Sequence, residues 1–377
     1  MKRIIAIVVL AMLTVMTPLY AASTPKNLAY VDKNSQSYVP VGVLKTYEDI
    51  QVTYTAAEKK LNISRGDKAL TLYLGSRNAY VNGKKVQMKA APFSENGSTY
   101  VPLQFVSQHL GLDLSWSNNR STLKITDGNM VNTLPVLSGN LISSQSKPVT
   151  TARKSFKVGS RSFSAQVVTV SLLHPKVELD VVLAGNKAGK VEDLRSIAKR
   201  SHAVAAINGT FFDAYTSGAY KAPYGYLVSN GNIFQKASGD NRTIFTYDSN
   251  NLASMIPGLD FKSVYDTGHM DGALQAGPRL LTDGKVTLDV KKEGFKDPKI
   301  LTGGGARSAL GITKDHKLIL LTTGGATIPQ LAEIMKQAGA YQAMNLDGGA
   351  SSGLYYNGSY LTTPGRQISN AIVVKYK

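Results

Sequence analysis

A duplicated segment near the N-terminus is the strongest constraint on the fold of this chain. Residues 38–64 align without a gap to residues 100–126, at an offset of 62 residues. Each copy opens with Tyr-Val-Pro, continues through a stretch typical of a short helix, and ends in an alternating strand containing Leu-x-Ile. In an alternating strand the two apolar residues share one face, which is typical of a half-buried strand. The duplication therefore predicts two copies of one supersecondary unit within a small domain.

An Asn-Gly pair lies between the two copies. Asn82-Gly83 separates Ala79–Val81 from Lys85–Gln87. Such a pair favours a two-residue hairpin turn, because asparagine and glycine accept the positive φ angles that this turn requires. The sequence therefore predicts a β-hairpin between the copies.

The segment over about residues 27–127 resembles the copper amine oxidase N-terminal-like domain. The resemblance rests on four short motifs in this order: VNGKKV, APF, NGSTYVPL and LGLDLSW. This small domain does not carry the copper centre of the family from which it takes its name, and no metal ligand set is visible here. The resemblance implies a surface or wall-association module of exported bacterial proteins. A pure folding scaffold is the alternative.

Residues 1–22 have the pattern of a secretory signal peptide. Lys2 and Arg3 precede an apolar stretch over Ile4–Met16, and the small residues Ala21 and Ala22 follow. Thirteen residues are too few to span a bilayer core of about 30 Å, so we expect cleavage and no integral membrane segment afterwards. The prediction is a secreted or cell-surface protein. An exported chain without cysteine fits the cell wall of a Gram-positive-like bacterium best.

Composition excludes several function classes. The 377 residues contain no cysteine, which rules out disulfides, thiol nucleophiles and cysteine-ligated metal sites. The net charge is +18, but no run of five like charges and no basic stripe interleaved with aromatic residues occurs, so we expect no nucleic-acid partner. A diffuse positive field favours anionic cell-wall polymers as partners, or is a solvated surface without a partner.

The chain is long enough for two or three domains. We predict a small domain over residues 23–128, a linker over residues 129–152 that is rich in Asn, Ser, Thr and Pro, and a larger domain over residues 153–377. The expected fold class is α+β, with a small repeated β-rich/α module followed by a mixed-sheet α+β catalytic domain. In the larger domain, Thr327 and Gln330 predict a capping box at the start of a helix.

The larger domain also contains two similar helix–strand units. Residues 194–208 match residues 331–345 at six of fifteen positions, with an offset of 137. Each unit runs from an apolar strand into a glycine-rich polar turn, Asn208-Gly209-Thr210 in the first and Asp347-Gly348-Gly349 in the second. Glycines allow close approach of the backbone, so that successive N–H groups can converge on an anion. A third such turn, Gly303–Ser308, adds the guanidinium of Arg307, which can pair with two oxygens of a phosphate.

Five motifs in order resemble the phosphodiester glycosidase family over about residues 160–377: NGTFF, QAGPRL, ARSALGI, NLDGGASS and GRQISNAIVV. The resemblance implies hydrolysis of a sugar-1-phosphodiester at the bond between the anomeric carbon and oxygen, in an α+β domain with a central sheet. Two departures from the family pattern stand out. Gly348-Gly349-Ala350 replaces the glycine triplet that follows the aspartate in one form of the Asp-Gly-Gly motif, and Thr323-Gly324 stands where many members have Asp-Gly.

The site residues follow from these motifs and from the chemistry. We expect catalytic roles for Asp347, Asn208 and Asp213, with the Asp347 carboxylate stabilising positive charge at the anomeric carbon or activating water. We expect substrate and phosphate binding by the following residues: Arg307, Ser308, Arg366, Gln275, Gly277, Gly348, Gly349, Ser351, Ser352 and Asn370. The sequence requires no cofactor. It shows no calcium-loop motif, although the oxygen-rich turns leave a divalent cation such as calcium open as a ligand.

The sequence therefore predicts a secreted or surface hydrolase that acts on a sugar phosphate of the envelope or of an exopolysaccharide, with an N-acetylglucosamine-phosphodiester-like substrate. The alternative from a different class is a non-catalytic cell-wall binding protein whose glycine and arginine turns only hold anionic glycans. The two differ at Asp347, because only an enzyme has turnover to lose there.

Overall fold

The computed structural model describes residues 26–377, and the predicted signal peptide lies outside the described residues. The chain forms an N-terminal β-rich region followed by a larger region of antiparallel sheets with a few helices. The α+β fold class with a small repeated module before a larger domain is thereby confirmed.

The N-terminal region contains twelve strands and two short helices. The strands are β1 Ala29–Val31, β2 Ser37–Pro40, β3 Gln51–Thr55, β4 Lys60–Arg65, β5 Lys68–Tyr73, β6 Asn78–Val81, β7 Lys84–Gln87, β8 Phe93–Glu95, β9 Ser98–Pro102, β10 Asp113–Trp116, β11 Thr122–Asp127 and β12 Met130–Ser138. The helices are α1 Val41–Leu44 and α2 Leu103–Leu110. The strands form two sheets, in the orders β10-β11-β12-β1-β2-β9-β8 and β3-β4-β5-β6-β7.

The two copies of the duplicated segment have the same order of elements. The first copy contains β2, α1, β3 and β4, and the second contains β9, α2, β10 and β11. Strands β2 and β9 pair antiparallel, so that the two Tyr-Val-Pro segments lie side by side. One core encloses apolar residues of both copies, among them Leu61, Ile63, Leu123 and Ile125. The duplication thus produces one scaffold rather than two separate units.

The Asn-Gly hairpin prediction is confirmed. Strands β6 and β7 pair in register on either side of Asn82 and Gly83. Both turn residues have positive φ, 48° at Asn82 and 77° at Gly83, as a type I′ turn requires.

The segment predicted as a linker, residues 129–152, is different in the structure. Its first part is strand β12, which pairs with β11 and with β1 in the N-terminal sheet. Leu134, Val136 and Leu137 of this strand are buried. Their short apolar run lies among Asn, Ser and Thr residues, and it forms a strand because two neighbouring strands provide its backbone partners. Only residues 139–148 lie between the last strand of the N-terminal region and the first strand of the C-terminal region.

The C-terminal region contains seventeen strands and four helices. Its strands are β13 Val149–Val158, β14 Arg161–Ser171, β15 Val177–Leu183, β16 Ala203–Asn208, β17 Leu227–Ser229, β18 Asn232–Gln235, β19 Ile244–Tyr247, β20 Ala253–Ile256, β21 Gly272–Gln275, β22 Arg279–Thr282, β23 Lys285–Val286, β24 Gly305–Ile312, β25 Lys317–Ala326, β26 Gln342–Asn345, β27 Leu354–Tyr356, β28 Ser359–Thr362 and β29 Asn370–Tyr376. Its helices are α3 Leu194–Arg200, α4 Phe261–Tyr265, α5 Pro298–Leu301 and α6 Ile328–Gln337, and short 3-10 helices lie at Ala184–Asn186, Gly258–Asp260 and Gly349–Ser351.

These strands form three sheets around a shared apolar core. The sheet orders are β13-β14-β25-β24-β26-β22-β23, β15-β29-β16-β27-β28 and β18-β17-β21-β19-β20. The first sheet contributes Val168 to this core, the second contributes Ile372 and the third contributes Phe245. Burial of such side chains at about 25 cal/mol per Å² of apolar area is the main stabilising contribution. The loops that follow these strands form the walls of the cavity in the candidate active site.

Helix α6 follows its sequence signals. The Thr327 side chain accepts from the Gln330 backbone N–H, and the Gln330 side chain accepts from the Thr327 N–H, which confirms the predicted capping box. Leu331, Ile334 and Met335 are buried on one face. This face packs on the sheet that contains β24 and β26.

The two regions are in contact. The N-terminal Tyr38 and Tyr100 pack in one apolar cluster with Leu173 of the C-terminal region. A ring nitrogen of the buried His316 lies 2.8 Å from the Ser121 carbonyl oxygen, which adds a polar contact. Among the helices of residues 26–377, none combines the length and apolar character needed to cross a membrane.

Candidate active site

The glycine-rich turns of the two helix–strand units meet. Strand β16 ends at Asn208 and strand β26 ends at Asn345, as their offset of 137 predicts. The backbone N–H of Asp347 donates to the Gly209 carbonyl at 3.0 Å, and the Asn208 amide donates to the Asp347 carbonyl at 2.7 Å. The turn that follows one strand is therefore fixed directly to the turn that follows the other.

The Asp347 turn and the loop that follows the Asn208 turn line a cavity of about 800 Å³, which we call the main cavity. Its walls come from the loop after β16, the loop between β18 and β19, the segment between β23 and β24, the turn after β26, and Arg366 from the connection between β28 and β29. A volume of this order accommodates a small ligand of several sugar-sized parts. Loops from five places in the chain therefore converge on one concave site.

Seven of the predicted site residues line the main cavity: Asp213, Arg307, Asp347, Gly348, Gly349, Ser351 and Arg366. Five others lie behind its wall and do not line it: Asn208, Gln275, Gly277, Ser308 and Asn370. Ser352 lines a separate, neighbouring cavity. The sequence motifs thus mix residues that face the cavity with residues that hold its walls.

Asp347 is the carboxylate with the strongest electrostatic perturbation in the cavity. Burial raises its pKa to about 6, while hydrogen bonds from Ser351 and the Gly348 N–H and the charge of Arg366 act in the opposite direction. The Gly348 N–H lies 2.9 Å from the Asp347 Oδ1 atom. A carboxyl group with a pKa in this range is largely ionised at neutral pH and exchanges a proton readily. This property is typical of catalytic carboxyl groups.

The three other carboxylates that line the cavity have local structural partners. Asp213 accepts a hydrogen bond from the Thr216 N–H within its own turn, and Asp297 accepts one from the Lys299 N–H at the start of α5. Asp240 forms an ion pair with Arg242. Asp213 therefore acts as a turn former here, and the geometry gives Asp347 the stronger case for a catalytic role.

Arg307 is held rigidly. Its Nε atom donates to the Ala326 carbonyl at 3.0 Å, and its Nη2 atom donates to the carbonyls of Lys299 and Gly303, both at 2.7 Å. The residue is only 4% exposed, and burial lowers the pKa of its guanidinium. A Cβ atom at Gly348 would lie 3.7 Å from the Nη1 atom, so this third nitrogen lies against the Asp347 turn. Arg307 thus presents a fixed positive edge to the cavity.

Arg366 is held by Tyr215, a residue outside the sequence motifs. Its Nη2 atom donates to the Tyr215 hydroxyl at 2.9 Å, and its guanidinium carbon lies 4.8 Å from the centre of the Tyr215 ring. The Lys299 ammonium lies 5.8 Å from the same ring. The side-chain hydrogen bond and the charges of these cations lower the pKa of Tyr215. An anionic ligand would therefore compete with the neutral Tyr215 hydroxyl for the hydrogen bond that Arg366 donates.

Asn208 and Ser308 form a buried network behind Asp347. The Asn208 Oδ1 atom accepts from the Ser308 hydroxyl at 2.7 Å and from the Gly353 N–H at 3.0 Å. With the bond to the Asp347 carbonyl, these contacts occupy both ends of the amide, and both side chains are fully buried. Asn208 thus positions the Asp347 turn and is not placed to touch a substrate.

Asn370 and Gln275 also hold backbone. The Asn370 Oδ1 atom accepts from the Thr210 N–H at 3.0 Å, and a Cβ atom at Gly209 would come within 2.0 Å of it, so only glycine fits there. Gln275 accepts from the Tyr226 N–H and donates to Asp240 at 2.9 Å. Both residues fix loops that form the cavity wall.

The segment between β23 and β24 closes one side of the cavity and is anchored by a buried carboxyl group. Glu293 accepts from the Thr243 N–H and hydroxyl, at 2.8 and 2.9 Å, and from the Arg279 N–H. Burial raises the pKa of Glu293. A Cβ atom at Gly277, where φ is 102°, would lie 2.8 Å from Glu293, so this close approach needs a glycine. Gly277 is thus part of the anchor of this wall.

Several cavity residues carried no sequence signal. They are Tyr215, Tyr224, Asp240, Arg242, Phe295, Lys296 and Lys299. Lys299 lies in the short helix α5 and the others lie in loops without a repeated motif, so only the tertiary structure brings them to the Asp347 turn. Within residues 26–377, no three carboxylate or imidazole side chains are grouped so as to hold a metal ion.

Family models match two parts of the chain. The model described as phosphodiester glycosidase matches residues 201–375, and the model described as copper amine oxidase N-terminal domain matches residues 21–125. No curated protein matches the chain.

Two solved structures share the fold. The catalytic domain of zebrafish N-acetylglucosamine-1-phosphodiester alpha-N-acetylglucosaminidase, auto-inhibited by its pro-peptide, has 21% identity and a TM-score of 0.54. The match covers 62% of this chain and 85% of that one. A hypothetical protein from Synechocystis has 15% identity and a TM-score of 0.53, with 94% of this chain and 82% of that one covered. The family models show that residues 201–375 belong to a phosphodiester glycosidase domain, a domain of a glycosidase family, and that a copper amine oxidase N-terminal domain precedes it.

Proposed function

We propose that this protein hydrolyses the bond between the anomeric carbon and the bridging oxygen of a sugar-1-phosphodiester, with an N-acetylglucosamine-like sugar. The observation that carries the proposal is the position of Asp347, whose carboxyl group lies in one cavity with the cations Arg307 and Arg366. A carboxylate suits a cationic sugar centre, and the arginines suit the phosphate that leaves.

The chemistry assigns each group a separate task. As the bond to the phosphate oxygen breaks, both electrons leave with the phosphate and the anomeric carbon acquires oxocarbenium character. The Asp347 carboxylate stabilises this positive charge or removes a proton from the attacking water, whose oxygen becomes the new sugar hydroxyl. The leaving phosphate needs little protonation, so its main requirement is charge stabilisation, which Arg307 and Arg366 supply.

The rigid hold on Arg307 matters for this role. Three backbone carbonyls fix its guanidinium before any ligand arrives, so little side-chain entropy is lost when a phosphate binds. Arg366 is different, because it exchanges the Tyr215 hydroxyl for the phosphate. Arg307 therefore acts as a preformed anion site, and Arg366 as a cation recruited on binding.

The substrate source and the location belong to the same proposal. The signal-peptide pattern of residues 1–22 and the net charge of +18 support action outside the cytoplasm on anionic sugar phosphates of the envelope or of an exopolysaccharide. The N-terminal region would then bring the enzyme to the cell wall. No step of the reaction as written needs a metal ion or another cofactor.

The test is product analysis of purified residues 23–377 with a synthetic N-acetylglucosamine-1-phosphodiester. The native chain should release free sugar, and Asp347→Asn should release none while it still binds the diester. Asp289→Asn is the matched control, because Asp289 is exposed and only accepts a hydrogen bond from the Lys292 N–H in a local turn.

Release of sugar-1-phosphate instead of free sugar would place the cleavage on the phosphorus side and overturn the mechanism. No product together with retained binding of cell-wall polymer would favour the non-catalytic binding protein.

A further inference from the structure

The five-stranded sheet of the N-terminal region has one apolar face and one polar face. On strand β4, Leu61 and Ile63 are buried in the core, and Asn62 between them points to the other side of the sheet. Strand β5 repeats this pattern with Thr71 between Leu70 and Leu72. We call the side that carries Asn62 and Thr71 the outer face. Its side chains are exposed or half-buried, so a ligand can reach them.

One row of hydrogen-bonding side chains crosses the whole outer face. Its members are successive register partners on β3, β4, β5, β6 and β7, namely Thr53, Asn62, Thr71, Tyr80 and Lys85. Directly opposed residues point to the same face of a sheet, and neighbouring strands lie about 4.8 Å apart, so the row is about 19 Å long. The distance between neighbouring members is close to the length of one sugar unit in an extended polysaccharide. The row therefore fits a chain of sugars that lies across the strands.

The hydroxyl and amide groups of this row match the chemistry of sugars. The hydroxyls of Thr53 and Thr71 and the amide of Asn62 can both donate and accept hydrogen bonds, as sugar hydroxyls also do. The Thr71 hydroxyl donates to the Asn62 Oδ1 atom at 3.0 Å. This contact orders both side chains before a ligand arrives, which reduces the entropy lost on binding.

Two tyrosines add flat apolar surface to the outer face. Tyr80 lies in the row, and Tyr73 lies beside it on the neighbouring strand, with ring centroids 6.4 Å apart and an interplanar angle of 75°. Both side chains are half-buried. A tyrosine ring packs against apolar groups while its hydroxyl stays available for hydrogen bonds. The tyrosines therefore suit the C–H groups of a sugar ring as well as its hydroxyls.

Positive charge is concentrated in this part of the chain. Residues 51–89 contain eight basic and two acidic residues, so this short segment carries +6 of the net charge of +18. Strands β3 to β7 contain no aspartate or glutamate. Lys60 pairs with Glu58 at 3.5 Å, whereas Lys85 at the end of the row is exposed and forms no ion pair with the described residues. The charge of the outer face therefore complements a negatively charged partner.

We propose that the outer face binds an acidic polysaccharide, with sugar rings on Tyr80 and Tyr73 and an acid group of the polymer at Lys85. The hydroxyl and amide groups of the row favour sugars over a single-stranded nucleic acid, whose bases need successive stacking platforms. The inference rests on the proposed function in one respect, because it takes the protein to act on the envelope. It adds a second sugar-binding surface, in the N-terminal region, to the main cavity of the C-terminal region.

The test uses two soluble polymers with the same glucose backbone, carboxymethyl cellulose and hydroxyethyl cellulose. In calorimetry with purified residues 23–377, carboxymethyl cellulose should bind more tightly, and the difference should decrease as the ionic strength increases. Tyr80→Thr should lower the affinity for carboxymethyl cellulose about fivefold to tenfold, because it removes the stacking surface. Lys85→Gln should lower it about twofold to threefold, the effect of one exposed charge.

Each variant has a matched control on the other side of the same sheet. Tyr54→Thr removes an exposed tyrosine whose register partner is the buried Leu61, and Lys84→Gln removes the exposed lysine that precedes Lys85 on β7. Both controls should bind carboxymethyl cellulose as the native chain does. Because Lys85 is exposed, Lys85→Gln keeps the test valid if Tyr80→Thr does not fold.

Equal affinity of the native chain for the two celluloses, or equal losses in the variants and their controls, would overturn the proposal. Tighter binding of single-stranded oligothymidylate than of carboxymethyl cellulose at the same ionic strength would also overturn it, and would assign the outer face to nucleic acid. The measurement needs no turnover. If the diester is not hydrolysed, the proposed function fails, and binding of the two celluloses still decides on the outer face.

Discussion

The N-terminal and C-terminal regions each contain a pair of similar units, and the two pairs are joined in different ways. In the N-terminal region both copies end in hairpins and share one apolar core. In the C-terminal region both units end in polar glycine-rich turns, and these turns bond directly to each other at the wall of the main cavity. A repeated unit therefore yields a scaffold where its strands share one apolar core, and a site where its strands run into polar turns.

The two C-terminal units also differ from each other. Asn208 at the end of the first strand has every polar atom of its amide in use, whereas Asn345 at the end of the second has a buried Oδ1 atom without a partner in residues 26–377. The Asn345 amide donates only to the Gly277 carbonyl, at 2.8 Å. The first unit therefore supplies the support, and the second supplies the carboxylate that the support positions.

The largest expected effect comes from Asp347. Asp347→Asn should lower kcat by a factor on the order of a thousand or more, because it removes the negative charge near the anomeric carbon and keeps the shape of the side chain. Circular dichroism and the affinity for the diester should be unchanged. Substantial turnover by this variant would show that the second unit does not supply the catalytic group.

The second prediction compares the effects of replacing Asn208 and Asn345 on stability and on kcat. Asn208→Ala leaves the Ser308 hydroxyl, the Gly353 N–H and the Asp347 carbonyl without their partner, so it should lower the free energy of unfolding by about 2–4 kcal/mol and kcat by about tenfold or more. Asn345→Ala should cost less, because one atom of its amide is already unsatisfied. Chemical denaturation and kinetics of both variants measure the difference, and a larger loss for Asn345→Ala would contradict the division of roles.

The pH dependence of kcat/KM tests the role of the Asp347 charge separately from the role of its hydrogen bonds. With its pKa at about 6, the carboxyl group is protonated below this value, so kcat/KM should rise as the pH increases through about 6. The rise should be absent from any residual activity of Asp347→Asn. A profile that falls through the same range would assign Asp347 the role of an acid.

The same pKa has an opposite consequence for stability. The folded protein holds the proton more tightly than the unfolded chain, whose aspartate has a pKa of about 4, so this group makes the free energy of unfolding decrease between about pH 4 and about pH 6. Above about pH 6 the ionised form is the destabilising one. Asp347→Asn should therefore have a Tm at about pH 7.5 that is no lower than that of the native chain, and a lower Tm would indicate a structural role.

Replacement of Tyr215 should have a smaller effect, and this effect should be on KM. Because Arg366 donates to its hydroxyl, Tyr215→Phe should make Arg366 more available to a phosphate and lower KM about twofold to threefold, with kcat unchanged. Tyr220→Phe is the control, because Tyr220 is an exposed tyrosine of the same loop and does not line the main cavity. An increase of KM in Tyr215→Phe would mean that the phenol itself binds the substrate.

The smallest effect on catalysis is expected in the N-terminal region. The Tyr47 hydroxyl of the first copy donates to the Ile125 carbonyl of the second copy at 2.9 Å. Tyr47→Phe should lower the stability of this region by about 1 kcal/mol and leave kcat and KM unchanged. A change in kcat would show that the scaffold and the site are coupled, through contacts such as that between His316 and Ser121.

The sequence by itself determined the features that depend on neighbouring residues. The Asn82-Gly83 hairpin and the Thr327–Gln330 capping box follow from local hydrogen bonds and φ preferences, and the duplicated N-terminal segment follows from a repeated pattern. The motifs also singled out Asp347, Arg307 and Arg366, and all three line the main cavity. The turn, cap and motif signals each lie within a few residues, and the duplication is visible from the sequence alone, so none of them requires knowledge of tertiary contacts.

Only the tertiary structure decided which polar residues face the cavity and which support it. Asn208 and Asp347 are 139 residues apart, and their contact depends on how the sheets of β16 and β26 pack. The same packing turns Ser308 away from the cavity, brings Arg242 and Tyr215 to it, and opens a second cavity beside Ser352. Side-chain direction at such points depends on strand register and on contacts between distant segments, and no local pattern encodes either of them.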